Sequence, residues 1–278
     1  MPELPEVEIA ARNLRRWTRG RRIEAVETDP RAARVFRPGA PEAFAAALAG
    51  RRITRVDRHG KQLLLTLDAA AKAGPLGVLA HLGMTGKWLR RRPGEEPPSH
   101  SRARLRLDTG AVLHFRDPRL FGRLRLVPGA RFDAVPELSA LGPDPLRDGV
   151  DPAALGAALS RSRRPVKVAL LDQSLLAGVG NIYASEALFR ARIDPRRAAR
   201  DLTPAEVRRL AGAVVAAMEE SLRRQEGPEI TYVEEPGAEN PFLVYGKAGE
   251  PCPRCRRARI VRAVQAQRST FYCPRCQR

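Results

Sequence analysis

All four cysteines of this 278-residue chain fall in its last 27 residues, as Cys252-Pro-Arg-Cys255 and Cys273-Pro-Arg-Cys276 with 17 residues between the pairs. Clustering at one end excludes a disulfide framework that staples the whole chain. Two C-x-x-C knuckles at this spacing place four thiolates at tetrahedral reach, the pattern of a zinc ribbon. A redox dithiol needs one such pair and a βαβ context, which is absent. Four thiolates leave no open coordination position, so the zinc is expected to be structural. From Lys247 to Arg278 there are nine Lys and Arg against one Glu. A ribbon this basic is a candidate phosphate-binding hairpin, and Arg268 sits in it just before Phe271 and Tyr272.

The charge extends beyond the ribbon. Fifty Lys and Arg against 31 Asp and Glu give a formal net charge of +19. That balance favours an anionic polymer, most simply nucleic acid, over ribosomal or membrane-surface roles. No run approaches the roughly 18 apolar residues of a membrane span. The first residues carry acid and proline rather than a secretory signal. The expected location is the cytoplasm, with nucleoid association through DNA binding.

Residues 5–19 read as an amphipathic helix with Val7, Ala10, Ala11, Leu14 and Trp17 on one face. Pro5 suits its first turn, and Glu6 and Glu8 complement its dipole. From about Arg21 to Val127 the pattern is short, alternating and strand-like, with Asp108-Thr109-Gly110 as a hairpin turn. This predicts an antiparallel β domain, two packed sheets with a helix. A Pro/Gly-rich link follows, and then helical periods. Asp151-Pro152 is a helix start, PVKVALLDQSLLA and GVGNIYASEALFRARI continue the helical theme, and Thr203-Pro-Ala-Glu206 is a capping box opening a helix to about Arg224. Residues 227–241 read as a loop. In GVGNIYASE, Gly178 and Gly180 permit a tight turn, and the following N–H groups open a helix. Such an end binds phosphate; a packing turn with no ligand fits equally well. Lys167, with Arg161, Arg163 and Arg164 upstream, adds charge nearby.

The N-terminus carries a chemical possibility of its own. With Pro at position 2, Met1 is expected to be removed, leaving a secondary amine. A generic α-amine titrates near ~8 against ~10.4 for Lys, so more free base is present at neutral pH. An amine attacks a sugar aldehyde carbon as Lys does in Schiff-base enzymes. A secondary amine then gives a cationic iminium, which draws electrons from the neighbouring carbon as β-elimination of a phosphate requires. Glu3 beside it is a candidate general acid. From these residues alone, a frayed terminus with helix-capping acids is the stronger reading.

MPELPEVE, RHGKQLLL, HLGMTG, DPRLFG, GVGNIYASE and QRSTFYC with the paired C-x-x-C motifs together resemble the formamidopyrimidine-DNA glycosylases, in order along the whole chain. The resemblance implies an α+β multidomain fold. Its parts are an N-terminal antiparallel β-sandwich with helices (1–130), a helix-two-turn-helix DNA-binding region with the lesion loop (131–241), and a zinc-finger hairpin (242–278). It implies a monomer that removes oxidised purines from damaged double-stranded DNA and cleaves the abasic site, with one structural zinc ion on Cys252, Cys255, Cys273 and Cys276, no organic cofactor and no membrane partner. By the same resemblance Pro2 is the nucleophile at the sugar C1′ and Glu3 protonates the opening sugar. Lys61 serves β-elimination and contacts phosphate. Arg268 contacts the flanking phosphates and serves δ-elimination, and Glu6 lies close to the sugar. Met84, Arg119 and Phe121 match the positions that fill the gap left by a flipped nucleotide. His100, Lys167 and Asn181 match DNA contacts.

The chain departs from the purine-specific pattern in its loop. QEGPEITYVEEPGAENPFLVYG is shorter than usual and lacks the Gly-Gly-Ser/Thr start. An endonuclease VIII-type enzyme for oxidised pyrimidines is therefore the first alternative, although its typical Pro-Glu-Gly-Pro start is replaced here by Pro-Glu-Leu-Pro. A non-catalytic zinc-ribbon DNA-binding protein is the second. Pro2, Glu3 and Lys61 together argue against it, since binding alone does not need all three.

Overall fold

A computed structural model describes residues 2–70, 73–225, 227 and 229–278. Met1, whose removal the sequence leads one to expect, and Glu226 and Pro228 at the loop start lie outside the described residues. The chain divides into two units: Met1–Pro2, Glu6–Ser139 and Gln225–Glu234 form the first, and Glu3–Pro5, Ala140–Arg224 and Glu235–Arg278 the second. Among the described residues no helix is long and apolar enough to cross a membrane.

The first unit is built on eight strands and the helix α1 (Leu4–Thr18), which starts one residue before the expected span. Strands β1 (Ile23–Thr28), β6 (Ser101–Leu107), β7 (Val112–Arg116) and β5 (Lys87–Arg91) make one antiparallel sheet in the order β1-β6-β7-β5. Strands β2 (Ile53–His59), β3 (Gln62–Leu67), β4 (Leu76–His81) and β8 (Arg123–Pro128) make the other in the order β2-β3-β4-β8. The alternation that marks them in sequence is the alternation of burial. In β6, Ala103, Leu105 and Leu107 are buried while Arg104 and Arg106 face solvent. A one-residue slip would reverse that, so the pattern fixes the register. The turn after β6 falls where expected, with Gly110 at φ 75°. Short helices α2 (Pro41–Leu48) and α3 (Pro136–Ser139) complete the unit.

Glu6 and Glu8 do more than complement a dipole. Glu6 is buried. Glu8 pairs with Arg58 at 2.8 Å and with Arg12 at 3.1 Å. Burial raises the Glu8 carboxyl, but these guanidinium groups outweigh it and hold the group below its ordinary range.

The second unit contains α4 (Pro152–Leu159), α5 (Val166–Leu170), α6 (Asn181–Ala191), α7 (Pro204–Arg224) and the ribbon β9 (Val261–Gln265) with β10 (Arg268–Tyr272). Asp151 caps α4 by accepting from the Ala153 and Ala154 N–H groups. The capping box of α7 is reciprocal: Thr203 N donates to Glu206 Oε2 at 2.8 Å and Glu206 N to Thr203 Oγ1 at 3.3 Å. The helical period of PVKVALLDQSLLA persists only through α5; Asp172 to Val179 then form turns. Gln173 shapes them, accepting from Gly178 N at 2.9 Å and donating to Val179 O at 2.8 Å. The cysteine module packs on α6 through a cluster of Phe189, Val244, Ile260 and Phe271 with Cys252 and Cys273.

Candidate active site and zinc centre

In the second unit the start of α6 is occupied by the chain's own carboxylate. Glu3 is fully buried, and its Oε1 and Oε2 accept from Ile182 N at 2.9 Å and Tyr183 N at 3.2 Å. Leu4 N donates to Gly178 O at 3.2 Å, so residues 3–5 are stitched to the glycine turn within the second unit. The two glycines are required by this approach. A Cβ on Gly178 would meet Leu4 Cδ1 at 2.5 Å, and one on Gly180 would meet Glu3 Cδ at 2.3 Å. The helix end therefore does bind an anion, as N–H groups at a helix start do, but the anion is Glu3 rather than a phosphate. Sequence reasoning missed this because the partners are 179 and 180 residues apart.

Lys167 is held inside the second unit. Its side chain is matched to a phosphate contact, yet it is 1% exposed. The ammonium donates to Asn181 Oδ1 at 2.6 Å, Ser269 O at 2.8 Å and Thr270 Oγ1 at 2.8 Å. An ammonium has three N–H donors, and all are engaged by protein. Burial pushes Lys167 down to about 7, opposed by Glu3 and assisted by the Arg268 charge. Asn181 Nδ2 donates to Ser269 O at 3.0 Å. Both side chains thus tie the start of α6 to the strand that carries Arg268. Arg268 itself is exposed at the first position of β10. The two-residue turn before it has Ala266 at φ 45° and Gln267 at φ 60°, the twist-matching hairpin geometry that aims the next side chain outward.

In the first unit Pro2 and Glu6 are buried and Lys61 is half-buried. Lys61 follows Gly60, whose φ of 54° makes the β2–β3 turn. Opposite the start of β3 stands His81, in register with Gln62. Its Nδ1 accepts from Gly83 N at 3.0 Å, and its pKa is lowered to about 4 by burial, the Lys61 charge and the Arg123 charge. His81 is therefore a neutral imidazole with its proton on Nε2. It escaped the sequence reading although it opens the HLGMTG motif.

Asp117 is the other group missed. It is fully buried. Oδ1 accepts from Thr85 Oγ1 at 2.8 Å and Arg119 N at 3.3 Å, and Oδ2 from Gly122 N at 2.7 Å. Its own N–H donates to His100 O at 3.0 Å. Asp117 thereby ties down the segments that present Met84, Arg119 and Phe121 through its carboxylate, and the one that presents His100 through its backbone N–H. Met84 and Phe121 are each 37% exposed, and the Arg119 guanidinium lies 4.8 Å from the Phe121 ring centre. These are outward groups, not core.

The four cysteine Sγ atoms lie within 4.8 Å of one another. Cys252 to Cys276 and Cys255 to Cys273 are each 3.8 Å. A tetrahedral zinc with bonds of about 2.3 Å sets its sulfurs about 3.8 Å apart, so the donor set fits a structural zinc and no disulfide. The module is pinned to its unit by Gln277, which donates to Ile193 O at 2.9 Å, and by Arg254, which donates to Phe189 O at 2.8 Å.

The comparisons with known proteins agree along the chain. Residues 1–124 match the family model for the formamidopyrimidine-DNA glycosylase N-terminal domain, 141–231 that for its H2TH domain, and 249–278 that for the zinc finger found in FPG and IleRS. Formamidopyrimidine-DNA glycosylase of Desulfitobacterium hafniense is 40% identical over 286 residues, covering 100% of both chains. The crystal structure of the MutM (Fpg) protein of Thermus thermophilus shares 41% identity, with TM-score 0.80 over 99% of this chain and 98% of that one. Lactococcus lactis Fpg in complex with Fapy-dG-containing DNA shares 27% identity, with TM-score 0.85 over 99% and 100%. The chain belongs to the formamidopyrimidine-DNA glycosylase family, the bifunctional glycosylase/AP lyases of base-excision repair.

Proposed function

We propose that this chain excises oxidised purines from duplex DNA and cleaves the resulting abasic site through a Schiff base on Pro2. The Pro2 nitrogen attacks C1′, and the base departs with the electrons of the glycosidic bond. Glu3 takes up the proton that the Pro2 nitrogen sheds and passes it to the ring oxygen as the sugar opens, leaving a cationic iminium, while the departing base takes a proton from water. Loss of a C2′ proton then expels the 3′ phosphate, with Lys61 serving the proton transfer; Arg268 serves the second elimination and holds flanking phosphates. Glu6 lies near the sugar. His81 joins Lys61 as a phosphate donor, and His100 contacts DNA. Met84 and Phe121 fill the vacated stack, while Arg119 pairs with the orphan base. Asn181 and Lys167 act as struts for Arg268. The parts are allotted as 1–130, 131–241 and 242–278, and the protein works in the cytoplasm at the nucleoid.

The observation that best supports this is the carboxylate of Glu3, held by two N–H groups next in the chain to Pro2. A helix-capping acid on a frayed terminus would not require glycine at both 178 and 180. Borohydride trapping on abasic duplex tests it: the wild type forms a covalent adduct and Pro2→Gly does not. An adduct formed equally by Pro2→Gly would overturn the nucleophile. Excision from 8-oxoguanine:C duplexes is expected to exceed that from thymine-glycol duplexes; the reverse order would move the chain to the pyrimidine-type reading.

A further inference from the structure

Gly227 and residues 229–234 have the composition of a loop but belong to the first unit. Asn13 Nδ2 donates to Gly227 O at 3.1 Å, and Arg91 meets Glu229 at 2.6 Å. Ile230 and Tyr232 are 7% and 5% exposed. Tyr232 donates its O–H to Gly86 O at 2.6 Å, and the Lys87 ammonium lies 4.7 Å from the centre of its ring.

The anchor point gives this contact its meaning. Gly86 closes the turn that carries Met84, donating its N–H to Leu82 O at 2.8 Å. A Cβ there would fall 2.3 Å from that oxygen, so the turn is as tight as the backbone allows. His81 holds the Gly83 corner and Asp117 the Thr85 corner. Tyr232 holds the Gly86 corner, from a segment 146 residues away.

We propose that Tyr232 is a positioning residue for Met84, and that residues 229–232 act as a strap that stiffens the wedge. This rests on the reading of Met84 as the group that enters the base stack. Unstacking a step costs a few kcal/mol, and a side chain meets that cost only if its backbone does not recoil. A turn fixed before insertion loses no conformational freedom during it. The strap thus gives this chain's short loop a role on the wedge side of the DNA site, apart from any contact with the flipped base.

The test is the rate of borohydride trapping on an abasic site placed either in duplex or in single-stranded DNA, where there is no stack to wedge. Tyr232→Phe removes one oxygen and keeps the ring over Lys87. It is expected to slow duplex trapping about tenfold and leave the single-stranded rate within about twofold, the scale of one buried hydrogen bond. Met84→Ala is expected to do the same, and the double variant to be no slower than Met84→Ala alone. Equal slowing on both substrates, no slowing on duplex, or losses that multiply in the double variant would each overturn the strap while leaving Met84 as wedge. A Met84→Ala variant with wild-type duplex rates would instead remove the wedge reading, and the strap with it.

Discussion

Two sets of candidate groups, one from each unit, are held in opposite ways. In the first, Met84, Phe121, Arg119 and His100 stand outward on tight turns, and buried groups behind them fix the backbone. In the second, Glu3, Lys167 and Asn181 are themselves buried, and their polar atoms are engaged by protein. An exposed side chain can be lost without unfolding anything. A buried charged one cannot, because its partners are then left unsatisfied. Substitutions in the first set should therefore change rates, and those in the second set should change both rates and the local fold.

The largest expected effect is removal of zinc. A structural site contributes folding free energy on the order of 10 kcal/mol in isolated ribbons. Here Cys252 and Cys273 belong to the cluster that seats the module on Phe189. Chelation, or Cys273→Ser, should abolish DNA binding, read by fluorescence anisotropy with a labelled duplex. Both tryptophans, Trp17 and Trp88, lie in the first unit, so their emission should stay unchanged. Retained affinity without zinc would break the contrast between the units.

Next is Gly180→Ala. Gly180 has φ −129°, which alanine adopts without strain, so the effect is steric: the new Cβ falls 2.3 Å from Glu3 Cδ. Displacement of a catalytic group by about 1 Å costs roughly 100-fold, and trapping should fall by at least that. Gly212→Ala, with nothing within 4 Å of its Cβ, is the control and should be neutral. A trapping rate within about threefold of wild type would show that the Glu3 position is not needed.

Lys167→Met sharpens the point with a smaller effect. It leaves Asn181 Oδ1 without its donor, at about 1–3 kcal/mol, while Ser269 O keeps the Asn181 Nδ2 donor and Thr270 Oγ1 keeps Gln265 Oε1. Hydrogen exchange should rise at 268–272 and at the start of α6. The salt dependence of DNA binding should keep its slope, because the three N–H donors of the ammonium are engaged by protein. A slope reduced by about one unit would restore Lys167 as a direct phosphate contact.

What the sequence made legible follows from the range of each interaction. The Cys knuckles, the Thr203–Glu206 box, the Asp151 cap and the Asp108–Gly110 turn all join residues within a few positions. Alternation in β6 needs only one strand. The groups that escaped are those whose partners are distant. Glu3 reaches α6 across 179 residues, Lys167 reaches β10 across 102, and Tyr232 reaches Gly86 across 146. Lys167 reads as a surface cation until the hairpin covers it. Asp117 and His81 lie inside the DPRLFG and HLGMTG motifs, but nothing local distinguishes a carboxylate that holds two backbone N–H groups and a hydroxyl from one that faces water.

The smallest expected effect is on pH, and it also separates the units. All four histidines, His59, His81, His100 and His114, lie in the first. Burial lowers His81 and His114 to about 4, assisted at His81 by Lys61 and Arg123 and at His114 by Arg104 and Arg91. His114 is 2% exposed, with Nδ1 2.9 Å from Ser101 Oγ. In the unfolded chain both titrate near ~6.5. Between that pH and about 4 the unfolded state binds protons that the folded state refuses. Their stabilisation is complete above ~6.5 and is lost on acidification, at up to about 1.4 kcal/mol per pH unit for each histidine. Urea unfolding followed by tryptophan emission should show a midpoint that falls from pH 7 to pH 5. His81→Gln with His114→Gln should flatten that fall whatever the double variant does to stability at pH 7. An unaltered slope would mean that the acid sensitivity of the first unit lies in its carboxylates, and that its buried imidazoles add nothing to the contrast with the histidine-free second unit.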